Sequence, residues 1–312
     1  MKRTKIVATL GPSCSEGEIL GEMARAGMDV ARINVSHGSP AQHEELALLV
    51  REVGRQLGKP LGLMLDTRGP EVRVGDLPEP VPLSPGEEVV LGERGIPVTH
   101  DGLWRDVSPG ARVLLSGGEI VLRVVGKRRG ALRCLVERGG TVRAGKRVSV
   151  PGVRLSLPPL PPEDVSSLRL ARELNFEFVA LSFVQGPQDL ARARKLTGES
   201  WLIAKVETAA AVRELPEVVR AADGAMVARG DLGVEIDLYQ VPLVQRRLVD
   251  TCNAQAKPVV VATQMLTSMV HSPVPTRAEV ADVAAAVWDG ADGVMLSEES
   301  AVGRFPVQAV AA

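Results

Sequence analysis

Aromatic side chains make up only 3% of this 312-residue sequence: four Phe, three Trp and one Tyr. A core must therefore be assembled from Val, Leu, Ile, Ala and Met. Basic stretches have no interleaved aromatics on which nucleic-acid bases stack. Cysteine is as scarce. Cys14, Cys134 and Cys252 are odd in number and far apart, with no CxxC, which excludes a disulfide scaffold or zinc ribbon and suits a reducing, cytoplasmic setting. Neither sign of charge dominates: 37 Lys and Arg face 38 Asp and Glu, for a net charge of -1. That balance gives no global grip on nucleic acid or membrane. No apolar run approaches the roughly 20 residues of a membrane helix. The start, MKRTKIVATLGPS, is basic, but its apolar stretch is too short for a signal peptide. What is present, 45% hydrophobic and 24% charged residues, is the balance of a globular chain. Its length fits two ordinary domains or one large α/β barrel with an insertion.

Eight short apolar runs recur, at residues 4–11, 29–35, 60–67, 178–184, 201–207, 224–230, 258–264 and 293–299. Their near-continuous apolar character predicts parallel strands covered on both faces. Helical periodicity fills the gaps. Residues 17–27 place Ile19, Leu20, Met23 and Ala26 on one stripe with Gly27 as a stop. Residues 276–290 open on Thr276 with Glu279 three residues later, a capping box, and stop at Gly290. Eight such βα units predict a closed (β/α)8 barrel, the TIM architecture, more than an open sheet. Residues 72–148 break the rhythm with frequent Gly and Pro between short Val/Leu runs. They predict a small antiparallel β domain inserted after the third strand, leaving 1–71 and 149–312 for the barrel. The Lys- and Arg-rich stretch from Arg123 to Arg147, with Glu137 its only acid, is expected to be mostly a solvated face.

Chemistry in a parallel barrel lies at the C-terminal strand ends, and polar residues gather there. Strand two ends in Arg32, Asn34 and Ser36; strand three in Asp66, Thr67 and Arg68; strand five in Lys205 and Glu207; strand six in Arg229, Gly230 and Asp231; strand seven in Thr263 and Gln264; strand eight in Ser297, Glu298 and Glu299. Alternation puts Lys205 and Glu207 on one strand face. They read either as a structural ion pair or as a phosphate-neutralising lysine beside a metal ligand. Asp231 adds a second hard oxygen, which suits Mg2+ or Mn2+ with open positions for water and substrate. Gly230 to Gly233 can open a helical turn toward an anion. Other matches are set aside. Gly140 to Lys146 fits G-x-x-x-x-G-K, but Arg147 stands where a phosphate loop needs Ser or Thr. Arg229-Gly230-Asp231 ends a buried strand. The four histidines lack metal-ligand spacing.

At this point the sequence resembles the pyruvate kinase family. The resemblance rests on TKIVATLGPS (4–13), GMDVARINVSHG (27–38), LDTRGPEVRVG (65–75), VPG (150–152), IAKVET (203–208), DGAMVARGDLGVEI (223–236), KPVVVATQML (257–266), PVPTRAEVADVAAAV (273–287) and DGADGVMLSEESA (289–301), in family order. It implies a barrel interrupted by a β-barrel lid, and phosphoryl transfer from phosphoenolpyruvate to ADP giving pyruvate and ATP, with Mg2+ (or Mn2+) and K+. By position, Lys205 resembles the lysine that steadies the phosphoryl group, and Arg32 the phosphate-binding arginine. Glu207 and Asp231 resemble the divalent-metal ligands. Asn34, Ser36, Asp66 and the Thr67 carbonyl resemble the monovalent-cation site. Gly230, Asp231 and Thr263 resemble substrate contacts, and Arg73, His37, Asn34 and Lys146 nucleotide contacts. Thr263, Ser297 and Glu299 would organise a water chain that protonates the enolpyruvate carbon. An acidic residue at Glu71 goes, in the family, with a potassium requirement. No nucleic-acid or membrane partner is implied; a homo-oligomer through the barrel is.

Three departures stand out. Glu298 replaces a family glycine, Ser116-Gly117-Gly118 replaces an acidic lid turn, and Thr208-Ala209-Ala210-Ala211 follows the metal ligand. The sequence also stops at Ala312, about one turn into the expected eighth helix, without the family's C-terminal domain. Strand eight is therefore expected to keep bare apolar surface, and regulation through that domain is not expected. Two other readings compete: an inactive or partner-dependent fragment of the family, and a metal-dependent aldolase or lyase of the wider phosphoenolpyruvate/pyruvate barrels. The second accounts for neither the lid nor the Asp66-to-Arg73 segment.

Overall fold

The computed structural model describes residues 3–312. Eight strands close into a barrel: β1 (Lys5–Thr9), β2 (Val30–Asn34), β3 (Gly62–Asp66), β4 (Phe178–Leu181), β5 (Trp201–Val206), β6 (Gly224–Ala228), β7 (Val259–Ala262) and β8 (Gly293–Leu296). Every neighbouring pair is parallel, and β8 returns to β1 with Val7 opposite Met295. All eight apolar runs thus became barrel strands. Eight helices follow them in turn: α1 (Gly17–Ala26), α2 (Pro40–Leu57), α3 (Pro162–Glu173), α4 (Pro187–Thr197), α5 (Leu215–Ala221), α6 (Val241–Ala254), α7 (Arg277–Asp289) and α8 (Pro306–Ala311).

Two layers of packing follow from strand alternation. Outward residues such as Ala8, Leu65, Val179, Leu202 and Val227 join the helices in the main core. Inward residues form a separate small core with one side chain from each strand: Val7, Val30, Met64, Ala180, Ile203, Met226, Ala262 and Met295. That ring plugs the barrel, as filled side-chain layers do in this architecture. It also forms the floor on which the next inward residues stand.

The capping signals act as read. Thr276 and Glu279 form a reciprocal capping box on α7, and Gly290 ends it in the left-handed conformation. In α1 the buried face is Leu20, Met23 and Ala24, with Ile19 and Ala26 at its margins. The expected stripe was right in its centre and shifted at its edges, because side chains lean toward the helix N-terminus. Strand β8 is not left bare. Met295 and Leu296 are buried, and α8 packs on α1, burying Ala309 and Val310. Exposed apolar surface lies elsewhere, at Val280 and Trp288 of α7 and at Leu238, Tyr239 and Leu243 around the start of α6.

Between β3 and α3 the chain builds the lid. A six-stranded antiparallel sheet has the order Val72–Arg73, Arg147–Ser149, Arg112–Leu115, Ile120–Arg128, Ala131–Arg138, Glu88–Gly92, and Val81–Leu83 pairs with Gly140–Val142. The sheet curls around its own apolar core of Leu91, Leu115, Ile120, Leu122, Leu132 and their neighbours. Val150, Val153, Leu155 and Leu157 also pack on this core. Within the basic stretch, Arg123 and Arg112 clamp Glu137. Arg147 is not part of a solvated face: its side chain is 20% exposed and reaches the barrel.

Candidate active site

Two residues beyond the apolar ring, the inward positions turn polar. Val7 leads to Thr9, Val30 to Arg32, Met64 to Asp66, Ala180 to Ser182 and Ile203 to Lys205. A period of two places each directly above its predecessor. These five are buried and bonded to one another. Arg32 Nε donates to Asp66 Oδ2 at 2.7 Å, and its other arm donates to Thr9 Oγ1 at 2.8 Å. Lys205 Nζ donates to Asp66 Oδ1 at 2.9 Å and to Ser182 Oγ at 2.8 Å. Ser182 Oγ passes its own proton to the Thr67 carbonyl at 2.6 Å. One turn of pleat higher, Glu207 Oε1 lies 2.9 Å from Lys205 Nζ, and its Oε2 accepts the Phe183 N–H at 2.8 Å.

The signs alternate along this row: Arg32 positive, Asp66 negative, Lys205 positive, Glu207 negative. Burial disfavours the Asp66 carboxylate, but the Arg32 and Lys205 charges outweigh it and hold the group below the usual carboxylate range. Burial also works against the Lys205 ammonium, and Asp66 and Glu207 outweigh it, so its pKa lies above the ordinary lysine value. Glu207 goes the other way. Burial, with Asp231 adding to it, exceeds the pull of Lys205 and pushes Glu207 up to about 7.

That imbalance bears on metal binding. Glu207 Oε1 is fully buried and, despite its distance to Lys205, accepts no well-aligned hydrogen bond. A buried carboxylate oxygen without a donor is one that a hard cation would satisfy. Asp231 follows β6 on the short helix Arg229–Glu235. Among the described residues no cluster of three or more His, Cys, Asp or Glu side chains stands ready for a metal. Two protein carboxylates would leave most positions around a hard cation to water and other oxygens. Of the oxygens expected to hold a monovalent cation, those of Asp66, Thr67 and Asn34 each accept a hydrogen bond and keep a further lone pair. Both Asp66 oxygens and the Thr67 carbonyl accept the bonds above, and Asn34 Oδ1 accepts from the Ser36 N–H at 3.1 Å. Register does set Asn34 opposite Asp66 on the neighbouring strand.

The other expected residues divide into two groups. Thr263 joins the site rim: its Oγ1 accepts the Gly230 N–H at 2.8 Å. It and Gln264 hold positive φ of 69° and 55°, unusual for non-glycine residues. Arg229 fixes that turn by donating to the Thr263 carbonyl at 2.7 Å while pairing with Asp282. Ser297 Oγ is buried without a partner. Glu299 is buried with both oxygens committed to backbone, accepting from Leu266 N–H at 3.0 Å and Ser297 N–H at 2.7 Å. Glu298 is exposed, so the substituted position adds no buried carboxylate. Arg73 and Lys146 sit together on the lid, where Arg73 bonds the Gly145 carbonyl at 2.9 Å and also Glu71 at 2.5 Å. His37 is exposed on the turn after β2, its carbonyl accepting from His43 at 2.7 Å.

Sequence reading missed three residues. Ser182 interrupts an apolar run two positions after Ala180, and that spacing was the available signal. Phe183 and Arg147 carried none. Gly69 at φ 76° leaves room for the Phe183 ring, whose Cδ2 would lie 2.4 Å from a Cβ there. The ring in turn supports Arg147, whose guanidinium carbon is 4.5 Å from the ring centre and whose NH1 pairs with Asp231. The lid turn Ser116–Gly118 also lies against the Arg229–Glu235 helix.

Fold and site together define a (β/α)8-barrel protein with a buried, charge-alternating site at the C-terminal strand ends and a β lid touching its mouth. The family model for the pyruvate kinase barrel domain matches residues 1–310. A pyruvate kinase of Bacillus licheniformis is 42% identical over 325 residues, covering 99% of this chain and 56% of the relative. Plastidial pyruvate kinase 2 of Arabidopsis thaliana is 41% identical over 320 residues, covering 99% and 55%. The crystal structure of a pyruvate kinase from Cryptosporidium parvum superposes with a TM-score of 0.96 at 36% identity, covering 99% of this chain and 67% of that one. This chain belongs to the pyruvate kinase family. It spans little more than half the length of these two curated relatives.

Proposed function

We propose that this chain transfers the phosphoryl group of phosphoenolpyruvate to ADP, giving pyruvate and ATP in the last step of glycolysis. The observation that carries this reading is the buried row Arg32–Asp66–Lys205–Glu207 beside Asp231, under a lid. A loose phosphoryl-transfer transition state needs placement and positive charge more than covalent help. Lys205 holds its ammonium against the phosphoryl oxygens, and Arg32 binds the phosphate from the side of β2. Asp66 pairs with both cations and keeps them aimed. Gly230, Asp231 and Thr263 position the substrate carboxylate end; Arg73, Lys146, His37 and Asn34 receive the nucleotide. Glu207 and Asp231 would hold Mg2+ or Mn2+, which supplies further positive charge to the phosphate oxygens when bound. Asn34, Ser36, Asp66 and Thr67 would hold K+, with Glu71 marking the requirement.

In the step itself the bond between phosphorus and the enol oxygen breaks as a β-phosphate oxygen of ADP bonds to phosphorus. The electron pair stays on the enolate oxygen, and a proton then adds to the methylene carbon. Ser297 offers a buried, unpartnered hydroxyl for the water that delivers it, with Thr263 a further hydroxyl at the end of the neighbouring strand. Glu299, bound to two backbone N–H groups, is read as positioning this segment. The lid, taken as residues 72–148 on a barrel of 1–71 and 149–312, keeps water from the phosphoryl group. A cytoplasmic location, in keeping with three buried free cysteines, and assembly of copies through the barrel complete the proposal. No helix among the described residues is long and apolar enough to cross a membrane.

Lys205→Met tests the assignment. In an assay coupling pyruvate to lactate dehydrogenase, the variant should keep its fold by circular dichroism and lose at least about 10²-fold in kcat. An active Lys205→Met protein would place the chemistry elsewhere.

A further inference from the structure

Arg147 leaves the lid and meets one of the carboxylates read above as metal ligands, and packs on the residue that holds the other. Its guanidinium pairs with Asp231 directly. It also lies 4.5 Å over the ring of Phe183, the residue whose N–H holds Glu207 Oε2 at 2.8 Å. Phe183 keeps a positive φ of 54° in doing both, a conformation that costs energy in a bulky residue unless its contacts repay it. Four residues after Asp231, on the same helix face, Glu235 lines one cavity with Arg147 and with Gly152, where the lid rejoins the barrel. One short helix thus meets the lid twice, at Arg147 and at the Ser116–Gly118 turn.

We propose that Arg147 is a latch whose guanidinium and a divalent cation compete for Asp231. The inference rests on reading Asp231 and Glu207 as the metal site. Without metal, Arg147 supplies the cation that faces Asp231, and the lid edge is tied to the barrel. A divalent ion that takes Asp231 Oδ1, the oxygen Arg147 holds, meets the like charge of the guanidinium at contact distance. Its binding therefore releases Arg147 and loosens that lid edge. The coupling is reciprocal: the latch weakens metal binding by the factor by which metal weakens the latch.

The test uses Mn2+ with substrate-free protein, the free ion being measured by electron paramagnetic resonance. Arg147→Ala should bind Mn2+ about tenfold more tightly than the parent, since it removes a charge-assisted competitor; Arg147→Lys should fall between. Hydrogen exchange at the Val148 and Gly152 amides should quicken in Arg147→Ala, and in the parent on adding Mn2+. Arg147→Ala and Arg147→Lys affinities within twofold of the parent, with Glu207→Gln abolishing Mn2+ binding, would overturn the latch and leave the metal site standing. Mn2+ binding unaffected by Glu207→Gln would overturn the site, and the latch with it.

Discussion

Replacing Asp66 by Asn should destabilise the metal-free protein by about 3–5 kcal/mol, the range for breaking a buried ion pair from one side. The structure gives the reason. Asp66 is 0% exposed and is the shared partner of Arg32 at 2.7 Å and Lys205 at 2.9 Å, both nearly buried themselves. An Asn carbonyl can accept from one of these cations, but its NH2 then points at the other. Glu207 alone remains to balance two buried positive charges. Urea unfolding of parent and variant at pH 7, with equal m values, reads the difference. Its pH dependence is a second check. The folded pKa of Asp66 is depressed, so its stabilisation is complete above the unfolded value near ~4 and is lost as pH falls through the folded pKa. The gap between parent and Asp66→Asn should therefore narrow on acidification below about pH 4. A cost below about 1 kcal/mol at pH 7, within the range of an exposed pair, would show that the row is solvated and refute the reasoning.

Ser182→Ala removes the hydroxyl that accepts from Lys205 and donates to the Thr67 carbonyl; it should cost about 1–2 kcal/mol of stability and about tenfold in kcat, both measurable on the same purified variant. The three thiols are buried, and burial pushes Cys134 and Cys252 up to about 12, so Ellman's reagent at pH 8 should label none in the folded protein and all three in guanidinium chloride. Burial raises the Glu279 carboxyl, but it accepts from the Ser268 and Thr276 backbone and hydroxyls, and those four bonds together outweigh the burial and bring it down to about 2. Glu279→Gln should cost about 1 kcal/mol at pH 7, the value of a lost cap on a largely solvated group. Because the folded pKa is the lower one, that cost should fade as pH drops from ~4.5 toward 2, as thermal melts across that range would show.

The barrel was legible because its strands are buried on both faces and its helices carry caps: Thr276, Glu279 and Gly290 are written in the sequence and act as written. Lys205 and Glu207 were legible for a similar reason, since two charges at alternate positions at the end of an apolar strand must share a face. The network around them was less so. Ser182 belongs to it only because β4 lies between β3 and β5 in the closed sheet, a pairing that no local pattern states. Arg147 was invisible as a site residue: its role depends on where the lid folds back, and in sequence it sits in a basic stretch of a β domain. The margins of α1, Ile19 and Ala26, pack on the core without being fully buried, because side chains lean toward the helix N-terminus. The expectation of a bare β8 failed for a related reason: α7 packs on the strand, and its outward Leu296 is buried in the main core that α8 joins through Ala309 and Val310.

The central claim is that this chain's barrel and lid carry out phosphoryl transfer. The most direct test is 31P NMR of the purified protein with phosphoenolpyruvate, ADP, Mg2+ and K+, followed alongside pyruvate formation. The account predicts that the phosphoenolpyruvate signal gives way to ATP γ-phosphate, with one pyruvate for each ATP. A folded protein that leaves phosphoenolpyruvate untouched, or that releases inorganic phosphate without ATP, would contradict it.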